Sequence, residues 1–386
     1  MNVLVCGGGI VGLAAAHALA ERGADVTLCE QGSLGGGSTA RSAGGIRSQF
    51  STRINVELSL FSKAVWNSFE DQFDVDIGFR TSGYLFLARS ESVAERFRDD
   101  AQMQRDLGAE TEFLDPAAAT EVCPELKTDR FRAATFNPTD GFADPNLAVQ
   151  GYAEAARDLG AVIRPKTAVT AIHQSGDRVV GVDVVKNGTT ERIDVDYVVN
   201  ATGAWSSRFA DMAGTTLPIS PRRRQIAVVD PSKRVPESVP LTIDMETGSY
   251  FRPERDGAAL VGGHFTENDH AVNPDGYDQS MEMAWAAEAV EGAADCAAYF
   301  GPETRIKRGW AGLYAVTPDN HPIIEETLPG LVTAAGFSGH GFQHAPATAR
   351  IVSDLIFDGD TDLVDVSKLA ADRFGNGSPL DEQSVA

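Results

Sequence analysis

The stretch NVLVCGGGIVGLAAAHALAERGADVTLCE, residues 2–30, decides the fold. A short apolar run stops at glycine, a helical pattern follows as far as Gly23, and a second apolar run ends at Glu30. Two short apolar runs on either side of a helical pattern predict a βαβ unit, and hence a parallel sheet with a helix packed on it. The chain therefore opens on an α/β layer.

Three glycines, Gly7, Gly9 and Gly12, occupy the turn between the first strand and the helix. In a dinucleotide fingerprint the first glycine permits the tight turn and the second lets the backbone approach a pyrophosphate, which the helix N-terminus then attracts. Glu30, at the end of the second strand, is placed to accept from a ribose hydroxyl. This spacing predicts a dinucleotide site, and a purely structural glycine turn is the alternative.

A second glycine-rich segment, GFSGHGFQHAP at 336–346, leads into another helical pattern, with Pro346 expected in its first turn. Its loop amides and helix dipole favour an electron-rich group, such as the N1 and C2=O edge of a reduced isoalloxazine. NAD and FAD both carry the ADP part that the first turn would bind. The second turn favours FAD, because two glycine-rich turns can hold the two ends of one long molecule.

Hydrophobic patterns predict the remaining elements outward from these two segments. We expect helices over 52–72, 91–108, 144–160, 276–298 and 345–359. We expect strands over 83–88, 168–185 with a turn at 175–177, 192–200, and within 328–337. Residues 221–275 alternate apolar positions among Pro and Gly, which is typical of an antiparallel sheet.

The predicted fold class is α/β with an α+β substrate part, in two domains that are discontinuous in sequence. A Rossmann-like FAD-binding domain takes residues 1–80, 142–220 and 305–365, and a substrate domain with an antiparallel sheet takes 81–141 and 221–304. A polar C-terminal tail, 366–386, completes the chain, and we expect the polar, Asp-rich residues after Gly359 to fray because they have little to bury.

Charge is the outlying feature of the composition. The chain carries 55 Asp and Glu against 33 Lys and Arg, of which only seven are Lys, for a net charge of −22. Nucleic-acid binding is disfavoured. Self-repulsion of this size is screened at molar salt, where the Debye length is about 3 Å. We expect a protein adapted to a high-salt cell, with an ordinary acidic protein as the alternative.

The location is predicted from what the sequence does not show. No apolar run reaches the roughly 20 residues that span a bilayer, and no basic segment precedes the first apolar run, so we expect a cytoplasmic protein without a signal peptide. Cys6, Cys29, Cys123 and Cys296 form no CxxC pair and are expected to be buried thiols. We expect no metal cluster.

Five blocks in this order resemble one family: CGGGIVGLAAAHALAERG, GSTARSAGGIR, VNATGAWS, GLYAVTPDNHPII and AAGFSGHGFQHAP. Over nearly the whole chain the sequence is similar to the D-amino-acid oxidase, glycine oxidase and sarcosine oxidase superfamily, and most to its sarcosine oxidase β-subunit and proline dehydrogenase β-subunit group. The resemblance implies FAD-dependent oxidation of the C–N bond of an amino acid or N-alkyl amino acid, with hydride transfer to flavin. It also implies O₂ or another electron acceptor and the possibility of a partner subunit.

The resemblance also implies cofactor-binding residues. They are Gly7, Gly9, Ile10, Val11, Gly12, Glu30, Gln31, Ser38, Thr39, Arg41, Ser42, Ala43, Gly44, Gly45, Val169, Ala201, Thr202, Gly203, Trp205, Gly312, Gly336, Ser338, Gly339, His340, Gly341, Phe342 and Gln343. Residues 38–46 would run under the pyrophosphate and flavin, and Val169 would meet the adenine. Val169 and Trp205 could instead be core residues.

The sequence departs from the family at positions that matter. Gly312 stands where monomeric sarcosine oxidases carry a cysteine linked to the flavin, and TARSAGG lacks the histidine to which dimethylglycine dehydrogenases link theirs, so noncovalent FAD is expected. Leu260 and Gln343 replace lysines that those oxidases associate with oxygen activation and carboxylate binding. A hydrophobic Leu260 favours an acceptor other than O₂.

Six residues are predicted to serve the substrate side. An amino-acid carboxylate needs a planar guanidinium, for which Arg47 and Arg252 are the candidates. His264, Tyr314 and His340 match positions near the flavin face in the sarcosine oxidase pattern, and Tyr250 lies beside Arg252 in the expected substrate sheet. Structural ion pairs, core aromatics and satisfied buried histidines are the alternatives.

Two other functions are compatible with the same scaffold. One is oxidation of a 2-hydroxy acid or glycerol phosphate with FAD. The other is a non-catalytic role, since some proteins similar in fold serve as FAD-containing assembly factors of respiratory complexes. Flavin reduction by a small molecule separates the enzyme from the assembly factor.

Overall fold

A computed structural model describes residues 1–265, 269–375 and 379–384. Within these ranges the strands are β1 Asn2–Cys6, β2 Asp25–Glu30, β3 Gly45–Ile46, β4 Tyr84–Ala88, β5 Glu112–Leu114, β6 Ala133–Asn137, β7 Gly141–Phe142, β8 Val162–Pro165, β9 Ala168–Ser175, β10 Arg178–Lys186, β11 Thr189–Asp194, β12 Tyr197–Asn200, β13 Ser220–Asp230, β14 Leu241–Asp244, β15 Ser249–Pro253, β16 Ala259–Gly263, β17 Arg305–Val316, β18 Ile323–Leu328 and β19 Leu331–Ala335. The α-helices are α1 Ile10–Glu21, α2 Arg53–Asn67, α3 Phe69–Phe73, α4 Glu91–Asp106, α5 Pro116–Ala119, α6 Pro145–Asp158, α7 Ser206–Met212, α8 Met283–Cys296 and α9 Gly341–Phe357.

The nucleotide layer is a six-stranded sheet in the order β18-β19-β12-β1-β2-β8. Its pairs run parallel except at the edge, where β18 is antiparallel to β19. Helices α1, α6 and α9 pack on one face, and the three-stranded sheet β11-β10-β9 packs on the other. Because both faces are covered, the strands read as continuous apolar runs. The predicted Rossmann-like layer is confirmed.

Local signals fix two of these elements. The side chain of Asp144 accepts from the Asn146 amide at 2.8 Å and Pro145 is the first helical residue, so α6 begins as its sequence predicts. Helix α9 starts at Gly341, which leaves Pro346 in its second turn and corrects the prediction that this proline lies in the first. The glycine-rich segment thus supplies the amides of the first turn itself.

The second layer is an eight-stranded sheet in the order β17-β13-β16-β15-β14-β4-β6-β5. It is antiparallel apart from β4 and β14, which run parallel in the middle of an otherwise antiparallel sheet. We expected the nucleotide part to resume at residue 305, whereas β17, from Arg305 to Val316, pairs along β13 in this second sheet. Helix α8 covers one face of the sheet. The face with Tyr84, Ile226 and Tyr250 forms a separate apolar cluster.

In the C-terminal part of the chain, the described residues 360–375 and 379–384 are folded, and the expectation that they fray is wrong. Leu369 is fully buried, and Arg373 pairs with the buried carboxylate of Asp319 at 2.8 Å. Glu382 is 1% exposed, and its carboxylate accepts from the amides and hydroxyls of Ser51 and Thr52 at the start of α2. A polar segment can bury its charges when donors elsewhere in the chain are placed to satisfy them.

The four cysteines are free and buried, as expected. Burial raises the pKa of the Cys29 thiol to about 11, so that it stays protonated at neutral pH. Among the described helices, none combines the length and apolarity needed to cross a bilayer.

Candidate active site

A cavity of about 560 Å³ runs from the turn after β1 to the loop before α9. Its walls come from both layers: the β1–α1 turn, residues 36–43, the ends of β12 and β19, and strands β13, β15 and β17. It lies at the carboxyl ends of the parallel strands, where open α/β sheets bind their ligands.

The three glycines of the first turn lack a side chain for different structural reasons. Gly7 has φ +106°, and a Cβ there would lie 2.3 Å from the Ala201 carbonyl oxygen. A Cβ at Gly12 would lie 2.0 Å from the Gly7 carbonyl oxygen. A Cβ at Gly9 would meet only Thr39 Oγ1, at 3.3 Å, and Gly9 lines the cavity. Protein packing explains Gly7 and Gly12, whereas Gly9 leaves room for a ligand.

Helix α1 begins beside the cavity without an acidic residue in its first turn or a side-chain cap on Gly9. Thr39 Oγ1 accepts from the Ile10 amide at 3.2 Å. Glu30 lines the cavity, where its carboxylate accepts from the amides of Gly8 at 2.7 Å and Gly32 at 2.6 Å. The start of α1 and this carboxylate thus lie together at one end of the cavity, and a helix N-terminus favours an anionic group.

The loop after β2 is tied to the second sheet by side-chain bonds. Arg41 donates to the carbonyls of Gly36 and Gly37 and to Gln279 Oε1. Ser38 donates to the Leu313 carbonyl at 2.6 Å, and Trp310 Nε1 donates to the Arg41 carbonyl at 3.0 Å. These contacts hold the loop as one wall of the cavity.

The far end of the cavity lies between β17 and the second glycine-rich segment. Gly339 has φ +99°, and a Cβ there would lie 2.3 Å from the ring of Tyr314. Gly312 lines the same end and packs against the stem of Arg41. A position without a side chain offers no atom for a covalent link to a flavin.

Most residues predicted to hold a cofactor line this cavity. They are Gly7, Gly9, Ile10, Val11, Glu30, Gln31, Ser38, Thr39, Arg41, Ser42, Ala43, Val169, Ala201, Thr202, Gly203, Trp205, Gly312, Gly336, Ser338, Gly339, Gly341 and Phe342. Tyr250 and Tyr314, predicted for the substrate side, line it as well. The structure thus brings together residues from four distant segments.

Five predicted cofactor residues do not line the cavity within the described part of the chain: His340, which pairs with Arg47, and the four residues Gly12, Gly44, Gly45 and Gln343. Gly12 packs on the first turn, and a Cβ at Gly44 or Gly45 would lie about 2 Å from the Ala143 carbonyl or the Tyr84 hydroxyl. Gln343 accepts from the Arg47 amide at 2.8 Å. The positions of these four residues are explained by contacts within the protein.

Arg47 and His340 form a buried pair behind the second glycine-rich segment. Arg47 Nη2 lies 3.2 Å from His340 Nε2, and its guanidinium also donates to the carbonyls of Gln49 and Ser384. The ring of Phe50 lies 4.0 Å from Arg47 Cζ. Burial, followed by the charge of Arg47, lowers the pKa of His340 well below its ordinary value, so this imidazole is neutral at pH 7.

Arg252 has a carboxylate partner within the chain. Its Nη1 lies 2.5 Å from Glu254 Oε1 and donates to the Pro253 carbonyl at 3.1 Å. The ring of Phe142 lies 4.2 Å from its Cζ. Within the described residues, Arg252 does not line the cavity.

The substrate-side aromatics are buried and neutral. Burial raises the pKa of Tyr250 and of Tyr314 above the ordinary tyrosine value, so both phenols keep their protons. His264 lies behind Tyr314, with ring centroids 5.4 Å apart. Burial, followed by the charge of Arg224, lowers the pKa of His264 to about 3. These aromatic and imidazole side chains are therefore uncharged at neutral pH.

Sequence reasoning missed Arg224, which lines this end of the cavity. It lies on β13, one alternation from Ile226, another lining residue, and its Cζ lies 5.6 Å from the Tyr314 ring centroid. The arginine run at 222–224 was visible in the sequence, and its alternation along a strand places 222 and 224 on one face. Which of the two faces of β13 lines the cavity depends on how β13 pairs with β16 and β17.

A parallel sheet, a long cavity at its carboxyl edge and a glycine left free for a ligand are the features of a dinucleotide-binding protein. Residues 2–355 match the FAD dependent oxidoreductase family, DAO, and the chain belongs to that family. FAD is its cofactor, and the open space at Gly9, the carboxylate of Glu30 and the second glycine-rich segment fit a molecule of that length. The family resemblance predicted from the sequence is confirmed.

Named relatives extend over the whole chain. The sequence is 30% identical over 426 residues to FAD-dependent oxidoreductase domain-containing protein 1 of Xenopus laevis, covering 100% of this chain and 84% of that protein. It is 26% identical to the sarcosine oxidase subunit beta of Rhodobacter capsulatus, covering 100% and 91%. The crystal structure of L-proline dehydrogenase from P. horikoshii superposes with a TM-score of 0.87 at 33% identity, covering 97% and 98%.

Proposed function

We propose that this FAD-dependent oxidoreductase oxidises the C–N bond of an amino acid or N-alkyl amino acid. The observation that carries the proposal is the far end of the cavity, where an arginine, Arg224, stands beside two neutral phenols, Tyr250 and Tyr314. A cation with hydroxyl donors and an aromatic wall suits a small molecule with a carboxylate. Sarcosine and L-proline, in the names of two relatives, are molecules of this kind.

The reaction requires the substrate to lose a hydride from its α-carbon and a proton from its nitrogen, which leaves a C=N bond. Water then adds to that bond and releases a carbonyl compound and an amine. FAD, when bound, supplies the two-electron acceptor for the hydride. The protein's part is to bind, orient and desolvate the substrate.

The charges at this end favour the reactive form of the amine. A guanidinium lowers the pKa of an ammonium held beside it, and the neutral amine has the lone pair that the C=N bond needs. The buried phenols of Tyr250 and Tyr314 remain protonated and can donate hydrogen bonds without adding negative charge. These residues would therefore favour a substrate whose carboxylate is anionic and whose amine is neutral.

The residues around the two glycine-rich turns would hold FAD. We assign the pyrophosphate to the start of α1, the ribose to Glu30, the adenine side to Val169 and Trp205, and the flavin to Gly312 and the segment from Gly339 to Phe342. The chain offers no side chain at Gly312, which supports a noncovalent cofactor. Leu260 is buried and apolar, which supports an electron acceptor other than O₂.

The test is turnover by the FAD-bound protein in molar KCl. Reduction of a dye acceptor and uptake of O₂ are measured side by side with sarcosine, L-proline, glycine, D-amino acids, 2-hydroxy acids and glycerol phosphate. We expect dye reduction with a carbonyl product from an amino acid, and slower uptake of O₂. Turnover of hydroxy compounds alone would replace the proposal with an alcohol-oxidising enzyme, and FAD-bound protein without any turnover would favour a non-catalytic role.

A further inference from the structure

Three arginines lie near the substrate end, and a carboxylate needs one with free donors. A planar guanidinium binds a carboxylate with two parallel N–H bonds, so the donors already used within the protein decide which arginine is available. Two of the three, Arg47 and Arg252, follow from the sequence resemblance. The structure distinguishes all three by their partners.

Both terminal nitrogens of Arg47 are already engaged by groups of the protein. Its two terminal nitrogens reach two backbone carbonyls, those of Gln49 and Ser384, and the imidazole of His340. Its side chain is covered by Phe50 and Phe86 on the remaining sides. A ligand carboxylate would have to displace the C-terminal segment to reach it.

Arg252 is neutralised by its neighbour in sequence. The Glu254 carboxylate lies 2.5 Å from Arg252 Nη1, and the two side chains are 26% and 11% exposed. Displacing Glu254 would leave a poorly solvated carboxylate without its partner, which is costly. Arg252 is therefore better explained as half of a structural ion pair.

Arg224 differs from both in the exposure of the carboxylate that it contacts. Its Nη1 lies 2.7 Å from Asp269 Oδ1 and 3.2 Å from the Arg223 carbonyl, and within the described residues its Nε, like that of Arg252, has no hydrogen-bond partner. The Asp269 side chain is 43% exposed, whereas that of Arg224 is 17% exposed. Water can solvate Asp269 when it leaves, so this partner is the cheapest of the three to displace.

The aromatic surroundings place Arg224 where a substrate would lie. Its Cζ is 5.6 Å from the centroid of Tyr314, and both residues line the cavity with Tyr250 and Ile226. The neighbouring Arg223 points elsewhere, since its Nη1 lies 2.6 Å from Glu282 and, within the described residues, it does not line the cavity. Adjacent residues of β13 thus provide one cavity-lining guanidinium and one outside.

We propose that Arg224 binds the substrate carboxylate. Without substrate, the Asp269 carboxylate of the same chain pairs with the Arg224 guanidinium, and the substrate carboxylate displaces Asp269. The proposal rests on the proposed function, because it names the residue that selects an anionic substrate. It makes Asp269 a competitor of the substrate rather than a partner in catalysis.

The test is binding of acetate, followed through the absorbance spectrum of FAD bound to the protein at constant ionic strength. Acetamide has the same shape but no charge, so comparing it with acetate shows whether binding depends on the carboxylate charge. We expect Arg224→Met to raise the dissociation constant of acetate by at least about tenfold, which is the size of a charge-assisted bond. Asp269→Asn should lower that constant by about threefold or more, because it removes the competitor.

Arg223→Met is the matched control, since it removes a guanidinium from the same strand outside the cavity. It should leave the constant for acetate within about twofold, and no variant should change that for acetamide. The proposal is overturned if Arg224→Met binds acetate as wild type does, or if Asp269→Asn binds it more weakly. If Arg224→Met no longer binds FAD, its acetate binding cannot be followed. The proposal is then tested by whether the dissociation constant of acetate falls or rises in Asp269→Asn.

Acetate binding separates this proposal from the function on which it rests. Acetate needs no turnover, so a protein whose FAD no amino acid reduces can still show the predicted response of the two variants. In the opposite case, amino-acid turnover with unchanged acetate binding in Arg224→Met would retain the function and move the anchor to another residue.

Discussion

Gly9 is the glycine of the first turn whose missing side chain is least explained by packing within the protein. A Cβ there would meet only Thr39 Oγ1, at 3.3 Å, whereas a Cβ at Gly7 would lie 2.3 Å from the Ala201 carbonyl oxygen. Gly9 also has an ordinary extended backbone, with φ −77°, while Gly7 has φ +106°. The same substitution at these two positions should therefore affect different properties.

Gly9→Ala should weaken FAD binding by at least about tenfold without destabilising the apoprotein, because its Cβ occupies the space in which the backbone approaches the pyrophosphate. Alanine can even stabilise the apoprotein slightly by restricting the unfolded chain. Gly7→Ala is the comparison, and it should lower the unfolding midpoint of the apoprotein. FAD titration and thermal unfolding of both variants measure this, and a destabilised Gly9→Ala apoprotein would contradict it.

Among individual residues, the sequence predicted the glycines and the glutamate around the first turn, but it did not predict the surroundings of the buried arginines. Gly7, Gly9, Gly12 and Glu30 were predicted because their spacing along one strand, turn and helix is local. Arg224 was missed because its access to the cavity depends on how β13 pairs with distant strands. The engagement of Arg47 by the C-terminal segment is likewise a contact between residues 337 positions apart.

Among the elements, the C-terminal segment 379–384 contains a buried carboxylate, Glu382, that accepts several hydrogen bonds, in addition to the contacts that Arg47 and Asp319 make with Ser384 and Leu380. The Glu382 carboxylate accepts from Asn55 Nδ2 at 2.9 Å and the Ser384 amide at 2.9 Å, in addition to the donors of Ser51 and Thr52. Burial raises its pKa, but the hydrogen bonds outweigh burial, and the pKa is lowered from its ordinary value. The segment should depend on this charge.

Glu382→Gln should loosen the segment by about 2 kcal/mol, because an amide replaces a carboxylate that accepts from four residues, Ser51, Thr52, Asn55 and Ser384. The exchange rate of the Ser384 amide, measured by hydrogen–deuterium exchange, should rise about thirtyfold. Asp381→Asn is the control, since Asp381 is exposed. Unchanged exchange in Glu382→Gln would contradict the role given to this carboxylate.

The same contact predicts a dependence on pH. Because the folded pKa of Glu382 is below the unfolded value of about 4.3, its contribution is complete above that value and is lost as pH falls through the folded pKa. The difference in exchange between wild type and Glu382→Gln should therefore be constant near neutral pH and shrink below about pH 4. A difference that grows on acidification would contradict this sign.

The sequence predicted the elements that depend on neighbouring residues. It did not predict which strands pair when they are distant in the sequence. The α6 cap and the hairpin between β9 and β10 agree with the patterns of their own residues. The parallel pair β4 and β14 joins strands about 160 residues apart, which no local pattern specifies. The docking of the C-terminal segment has the same origin, since its composition alone resembles that of a disordered tail.

For the whole molecule, the net charge of −22 predicts a stability that depends on salt. Raising KCl from 0.1 M to 1 M shortens the Debye length from about 10 Å to about 3 Å and screens the repulsion among the acidic side chains. We expect the unfolding midpoint to rise over this range. Sucrose at equal osmolality is the control, because it stabilises by exclusion without screening. A midpoint that stays flat or falls in KCl would contradict the expected adaptation to high salt.

The central claim is that FAD in this cavity accepts electrons from an amino acid, and the absorbance of the bound flavin under anaerobic conditions tests it most directly. Sarcosine, L-proline, glycine, D-amino acids and matched 2-hydroxy acids are added separately to the FAD-bound protein in molar KCl. We predict that at least one amino acid bleaches the flavin and that no 2-hydroxy acid does. Bleaching by 2-hydroxy acids alone, or by none of these compounds, would contradict the claim.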